Sequence, residues 1–186
     1  GLDSRPLILS FGGSLGARTI NEAVADLLVE SAKSGKYQHI HGYGQYGKWM
    51  PDLVAGKGVD LKKAKQILMR EYIDNMPECL AAADLVICRA GAITLSELQA
   101  QGKASILIPS PNVAENHQYH NAMALVRRGA AEMIEEKDLT GEKLCGKVEE
   151  IFSKPGGAEA LGRNARKMAV LDANERIYRV IKEVLS

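Results

Sequence analysis

Short apolar runs alternate along this chain with longer stretches in which apolar residues return every third or fourth position. Leu7-Ile8-Leu9-Ser10-Phe11 predicts a first strand, and residues 19–32 a helix carrying Ile20, Val24, Leu27 and Leu28 on one face. A second strand is expected at 37–41, a glycine-broken loop at 42–47, and a third strand at 66–69 with Tyr72 and Ile73 just past its end. Residues 50–65 keep no clean period and read as a short helix, a loop and a charged connection. A short helix follows over 74–83, with Pro77 tolerated in its first turn. The remaining expectations are strands at 85–88, 104–108 and 131–134, with helices over 94–101 and 115–128, ended near Gly102 and by Gly129. Two further helices cover 140–152 and 157–186, the second broken near Asp172.

Strands that alternate with helices form a parallel sheet covered on both faces. The fold class is therefore α/β, a Rossmann-like doubly wound parallel sheet of about six strands. No repeat or low-complexity linker divides the chain, so residues 1–186 read as one domain with C-terminal helices from about 157. In such sheets ligands bind at the carboxyl ends of the strands, and the glycine turns of this chain fall at those ends.

Composition narrows the classes of partner. The 186 residues are 46% apolar and 25% charged, as in globular proteins, and the net charge of +1 gives no broad electrostatic footprint for nucleic acid. Aromatics, at 5%, are too sparse for base-stacking platforms. Cys79, Cys88 and Cys145 are odd in number and widely spaced, which gives neither a disulfide framework nor a metal pair and suits a reducing compartment. Cys88, at a strand end, reads as a small buried apolar residue rather than a nucleophile. No run of 18 apolar residues and no signal peptide is visible. The first residue is Gly rather than Met, so the chain reads as a fragment or a processed or tagged form.

Two strand–turn–helix segments carry the candidate chemistry. The first is Gly12-Gly13-Ser14-Leu15-Gly16. It is not a dinucleotide fingerprint, since Phe11 occupies a required glycine position and His41-Gly42 stands where an acid belongs; no Gly-Lys-Ser/Thr follows to make a P-loop. What is left is a glycine nest, with Gly13 and Gly16 shaping a phosphate loop and Ser14 either contacting phosphate or only capping the helix. The second segment is Arg89-Ala90-Gly91-Ala92-Ile93-Thr94-Leu95-Ser96-Glu97. Its backbone N–H groups would open a helix and favour phosphate. Thr94-x-x-Glu97 supports two readings: a capping box, or a carboxylate set on the paired hydroxyls of a sugar. Arg89 either offsets phosphate charge or pairs with an acid at the sheet edge. Two phosphate-friendly turns on one sheet suggest a diphosphate-bearing ligand.

A third polar cluster, Glu115-Asn116-His117-Gln118-Tyr119-His120-Asn121, follows the Pro109-Ser110-Pro111 loop and suits neutral hydroxyls, or is simply an exposed first turn. His117 and His120 have no third partner at metal-ligand spacing. No Asp-x-Asp occurs to hold a nucleotide diphosphate through a divalent ion. Two helix N-termini could take part of that ion's role, each contributing about 0.3–1 kcal/mol when exposed and up to about 2 when partly buried.

Together these motifs resemble the MurG family, the peptidoglycan N-acetylglucosaminyltransferases that make lipid II. The resemblance rests on Gly12-Gly13-Ser14-Leu15-Gly16-Ala17-Arg18 with Asn21, and on Tyr72-Ile73-Asp74-Asn75-Met76. It rests also on residues 83–92 with Thr94, Ser96 and Glu97, on Ile108-Pro109-Ser110-Pro111, and on Glu115-Asn116-His117-Gln118 with Asn121-Ala122. It covers nearly the whole chain but only the C-terminal, donor-binding half of that family's two-domain GT-B architecture.

The resemblance implies binding of UDP-N-acetylglucosamine (UDP-GlcNAc) and an inverting, metal-independent transfer with no cofactor. It implies that Ser14 contacts the phosphates, the Ile73 backbone reads the uracil, and backbone groups of Ala92, Ile93 and Thr94 hold the α-phosphate. Leu95 and Ser96 complete that wall, Glu97 takes the ribose hydroxyls and Gln118 the sugar hydroxyls. No catalytic base is implied among these residues. The acceptor, lipid I, and most of the membrane association would belong to an N-terminal domain absent from this chain, at the inner face of the bacterial cell membrane. Leu15 stands where many members have Gln, and the loop after His41 fits the family poorly. Two alternatives remain: the donor subunit of a split transferase, and a non-catalytic UDP-sugar-binding module.

Overall fold

A computed structural model describes residues 3–185. Six parallel strands form one sheet: β1 (Leu7–Phe11), β2 (Gln38–Gly42), β3 (Ile67–Arg70), β4 (Leu85–Cys88), β5 (Ala104–Leu107) and β6 (Glu132–Met133). Their order is β3-β2-β1-β4-β5-β6. The chain leaves β1 toward β2 on one side and later returns to β4 on the other, so a crevice opens between the ends of β1 and β4. Phe11 and Cys88 are aligned across it.

The helices are α1 (Arg18–Ser34), α2 (Met50–Gly56), α3 (Met76–Ala82), α4 (Ala92–Gln101), α5 (His117–Val126), α6 (Gly141–Ser153), α7 (Gly157–Lys167) and α8 (Ala173–Leu185). Strand side chains alternate between two cores, as the two-residue period requires. Ile8, Leu85, Ile87 and Ile106 meet α1, α2 and α6 on one face, whereas Leu7, Leu9, Val86 and Leu107 meet α3, α4, α5 and α7 on the other. Burying side chains of this size contributes about 1.5–3 kcal/mol each. That double coverage fixes the strands and thereby the turns at their ends.

Several boundaries differ from the sequence expectations. Strands β2 and β3 each shift one residue onward, and the uncertain 50–65 segment yields α2, with Pro51 in its first turn. Helix α4 starts at Ala92, two residues before its expected start. Helix α5 starts at His117, after a 3-10 turn (Ala114–Asn116) in which Glu115 and Asn116 both adopt φ of 51°. Those two left-handed residues prevent the helix from reaching back to 115. The expected break near Asp172 separates α7 from α8, and Ser186 lies outside the described residues. Helix α8 buries no residue and leaves Ile177, Val180, Ile181 and Val184 exposed. No helix among the described residues is long and apolar enough to cross a membrane.

Candidate functional site

Strand β1 ends at the crevice in the turn 12–16. Gly13 and Gly16 adopt φ of 95° and 86°, which side chains with a Cβ rarely tolerate. Three successive carbonyls of the turn face inward: Gly13 accepts from Gly16 N–H, Ser14 from Gln45 N–H and Leu15 from Tyr46 N–H, each at 3.0 Å. With its acceptors occupied, the turn presents donors to an approaching anion. Helix α1 follows with Ala17 as its N-cap and no side-chain cap. Ser14 is therefore not a capping residue, and its side chain is exposed.

Strand β4 ends in the second turn. Gly91, in an extended conformation, is the N-cap of α4, again without a side-chain cap. The first bond of the helical ladder runs from Leu95 N–H to Gly91 carbonyl at 3.0 Å. The N–H groups of Ala92, Ile93 and Thr94 thus lie before the ladder at the positive end of the helix dipole. Thr94 is the third residue of the helix, so Thr94 and Glu97 do not form a capping box. Glu97 is exposed and has no hydrogen bond or ion pair with the described residues. Ser96 turns its hydroxyl back to the Ala92 carbonyl at 3.0 Å. Leu95 is buried in the core, so neither its side chain nor its N–H is available.

Arg89 points away from the crevice. It forms an ion pair with Glu136 and donates to the carbonyls of Ile108 and Pro109 at 3.2 Å each. Of its two sequence readings, the pairing with an acid is the one realised. Cys88 is fully buried, and burial first, then the negative charge of Glu97, pushes its thiol up to about 12. It is an apolar neighbour of the site and no nucleophile.

On the flanks, Ile73 is buried beside Gly42 and tops the ends of β1 and β2; a Cβ on Gly42 would meet Ile73 Cδ1 at 3.1 Å. Gln118 accepts from Ser110 N–H through Oε1 at 3.0 Å, which leaves its Nε2 amide unpartnered among the described residues. Asn121 donates to the Ala90 carbonyl at 3.2 Å and so ties α5 to the second turn. A groove of about 330 Å³ runs between Thr19, Pro109, Pro111, Asn116 and Tyr119, joining the start of α1 to the start of α5.

The glycosyltransferase family 28 C-terminal domain matches residues 7–177. The chain belongs to this family. It is 44% identical over 180 residues to the UDP-N-acetylglucosamine–N-acetylmuramyl-(pentapeptide) pyrophosphoryl-undecaprenol N-acetylglucosamine transferase of a Thermoanaerobacter species, covering 97% of this chain and 49% of that protein. The enzyme of the same name from Bacillus cytotoxicus is 40% identical over 183 residues, with coverage of 98% and 49%. The crystal structure of Acinetobacter baumannii MurG superposes with a TM-score of 0.82 at 27% identity, covering 98% of this chain and 51% of that one. The family 28 domain thus spans about half the length of the relatives it matches.

Within this family 28 domain, one set of residues went unassigned at the sequence level. His41 is fully buried, with Nδ1 2.7 Å from Ser10 Oγ and Nε2 3.2 Å from Asn21 Oδ1. Asn21 in turn donates Nδ2 to the Tyr43 carbonyl at 2.9 Å. Burial lowers the His41 pKa to about 3. The neutral ring then accepts from Ser10 and donates to Asn21. The available signal was a histidine at an inward-facing strand position, together with Asn21 of the first motif.

Proposed function

We propose that this chain is the donor-binding half of an inverting N-acetylglucosaminyltransferase that binds UDP-GlcNAc at the β1–β4 crevice. The carrying observation is the pair of helix starts without side-chain caps on either side of that crevice, with Glu97 unpartnered one turn into α4. The diphosphate fits against the N–H groups of Ala92, Ile93 and Thr94 on one side and against the turn holding Gly13, Ser14 and Gly16 on the other. Glu97 accepts from the ribose hydroxyls, which lets a carboxylate sit near a diphosphate without facing it. The Ile73 backbone meets the base, and the free amide of Gln118 meets the sugar. The activity for which the relatives are named, transfer of N-acetylglucosamine to a pyrophosphoryl-undecaprenol muramyl pentapeptide, supplies the acceptor class.

In the full reaction an acceptor hydroxyl of lipid I attacks the anomeric carbon, and the bond from that carbon to the UDP oxygen breaks. Lipid II and UDP result. Charge accumulates on the departing diphosphate, where preorganised N–H donors lower the barrier more than they stabilise bound substrate. The proton of the acceptor hydroxyl leaves to a general base that none of the donor-site residues named above supplies. On this reading acceptor binding, and most of the contact with the inner face of the cell membrane, fall to the part of the full-length enzyme that this chain does not span.

Calorimetric titration with UDP tests the reading. Saturable binding without transfer activity is expected. A folded sample that gives no saturation at millimolar UDP overturns it.

A further inference from the structure

The polar seam Ser10–His41–Asn21 ends at the loop 43–47, and that loop packs against the turn 12–16. Ser10, Asn21 and His41 are each at most 1% exposed. Asn21 lies in the first turn and a half of α1, yet its amide donates to a loop 22 residues further on rather than to its own helix. The loop wraps that amide closely: a Cβ on Gly47 would lie 2.6 Å from Asn21 Nδ2. Loop and turn also touch backbone to backbone. A Cβ on Gly16 would lie 2.3 Å from the Tyr43 carbonyl oxygen, and one on Gly44 would lie 2.1 Å from Gly16 N. The same loop supplies the N–H groups of Gln45 and Tyr46 that hold the Ser14 and Leu15 carbonyls inward.

From this geometry we infer that His41 and Asn21 are positioning residues for diphosphate binding. They anchor Tyr43 from within the core, and the anchored loop holds the carbonyls of residues 14 and 15 away from the ligand so that the turn offers only donors. The inference rests on reading this turn as the phosphate site. It predicts a selective defect. Of the contacts assigned to the nucleoside, Glu97 sits on α4, outside the seam. Ile73 borders it, packing on Gly42 and following Arg70 and Glu71, whose carbonyls accept from Tyr43 and Gly44 N–H, but it is held by its own burial and by backbone bonds that do not involve Asn21. The turn faces only phosphate.

The test compares UDP with uridine on the same chain, by titration followed in nitrogen–proton correlation spectra. Asn21→Asp keeps the acceptor for His41 but sets an oxygen against the Tyr43 carbonyl; Asn21→Ser removes the amide with little added charge or bulk. In either folded variant, UDP affinity should fall about tenfold, while uridine affinity stays within about twofold of the wild type. Equal losses for both ligands, or an unchanged UDP affinity, would overturn the inference while leaving the site reading intact. A folded wild-type chain that does not bind UDP would overturn the site reading and this inference with it.

Discussion

At the scale of the residue, Glu97 carries the sharpest consequence. Thr94-x-x-Glu97 has the spacing of a capping box, but the helix begins at Ala92, and the carboxylate is left exposed and unpartnered. An exposed side chain with no partner contributes little to folding, so Glu97→Ala should change stability by less than about 0.5 kcal/mol. A carboxylate that accepts from two hydroxyls contributes about 1.5–3 kcal/mol to binding, so the same variant should lose about tenfold or more in UDP affinity. Thermal unfolding and calorimetry on one preparation separate the two effects. A clear drop in melting temperature with unchanged affinity would return Glu97 to a structural role. Arg89 illustrates the reverse case. Its sequence context offered phosphate or an acid, and the three-dimensional neighbour, Glu136, lies 47 positions later, beyond the reach of any local pattern.

At the scale of the element, helix starts divide into capped and open ones. Thr140 caps α6, accepting from Lys143 N–H at 3.1 Å. It does so without the glutamate that completes a capping box, since Lys143 occupies that place. Thr140→Ala should therefore cost about 1 kcal/mol, whereas Thr94→Ala should leave stability within about 0.5 kcal/mol, as denaturant melts of the two variants would show. Equal losses would mean that Thr94 caps α4 after all. The contrast also marks what the sequence could reveal. The strands were legible because runs such as Leu85-Val86-Ile87-Cys88 are buried on both faces, and the first glycine turn because Gly13 and Gly16 adopt positive φ there. The start of α4 was not, because a strand end and a turn place it, and threonine spacing does not. Nor was the seam under the first turn: Gln38, His39 and His41 break the apolar pattern of β2 and are buried only because α1 and β1 supply Ser31, Asn21 and Ser10, and Asp3 and Arg5 supply partners for Gln38.

At the scale of the whole molecule, those buried histidines tie folding stability to pH. His39 places Nε2 2.7 Å from Ser31 Oγ, and its Nδ1 is buried without a partner among the described residues. Burial, then the nearby His41, lowers its pKa to about 3, and burial lowers that of His41 to about 3, against 6.5 for an ordinary imidazole. Between those values the unfolded chain binds a proton on each ring that the folded chain refuses. Acidification therefore favours unfolding, and stability rises with pH up to about 6.5 and gains nothing further from these groups above it. At pH 5 each histidine should cost about 2 kcal/mol relative to pH 7.5, and the pair about 4. That is a large share of the roughly 5–15 kcal/mol that a domain of this kind commands. Denaturant melts at pH 7.5 and pH 5.0 measure the difference, and His39→Gln, which leaves the Ser10–His41–Asn21 seam in place, should halve it. A stability that stays flat across this interval would mean that the two rings accept protons in the folded chain. The same depression keeps the His41 ring neutral from pH 5 to pH 7.5, so its Nε2–H continues to donate to Asn21 across that interval.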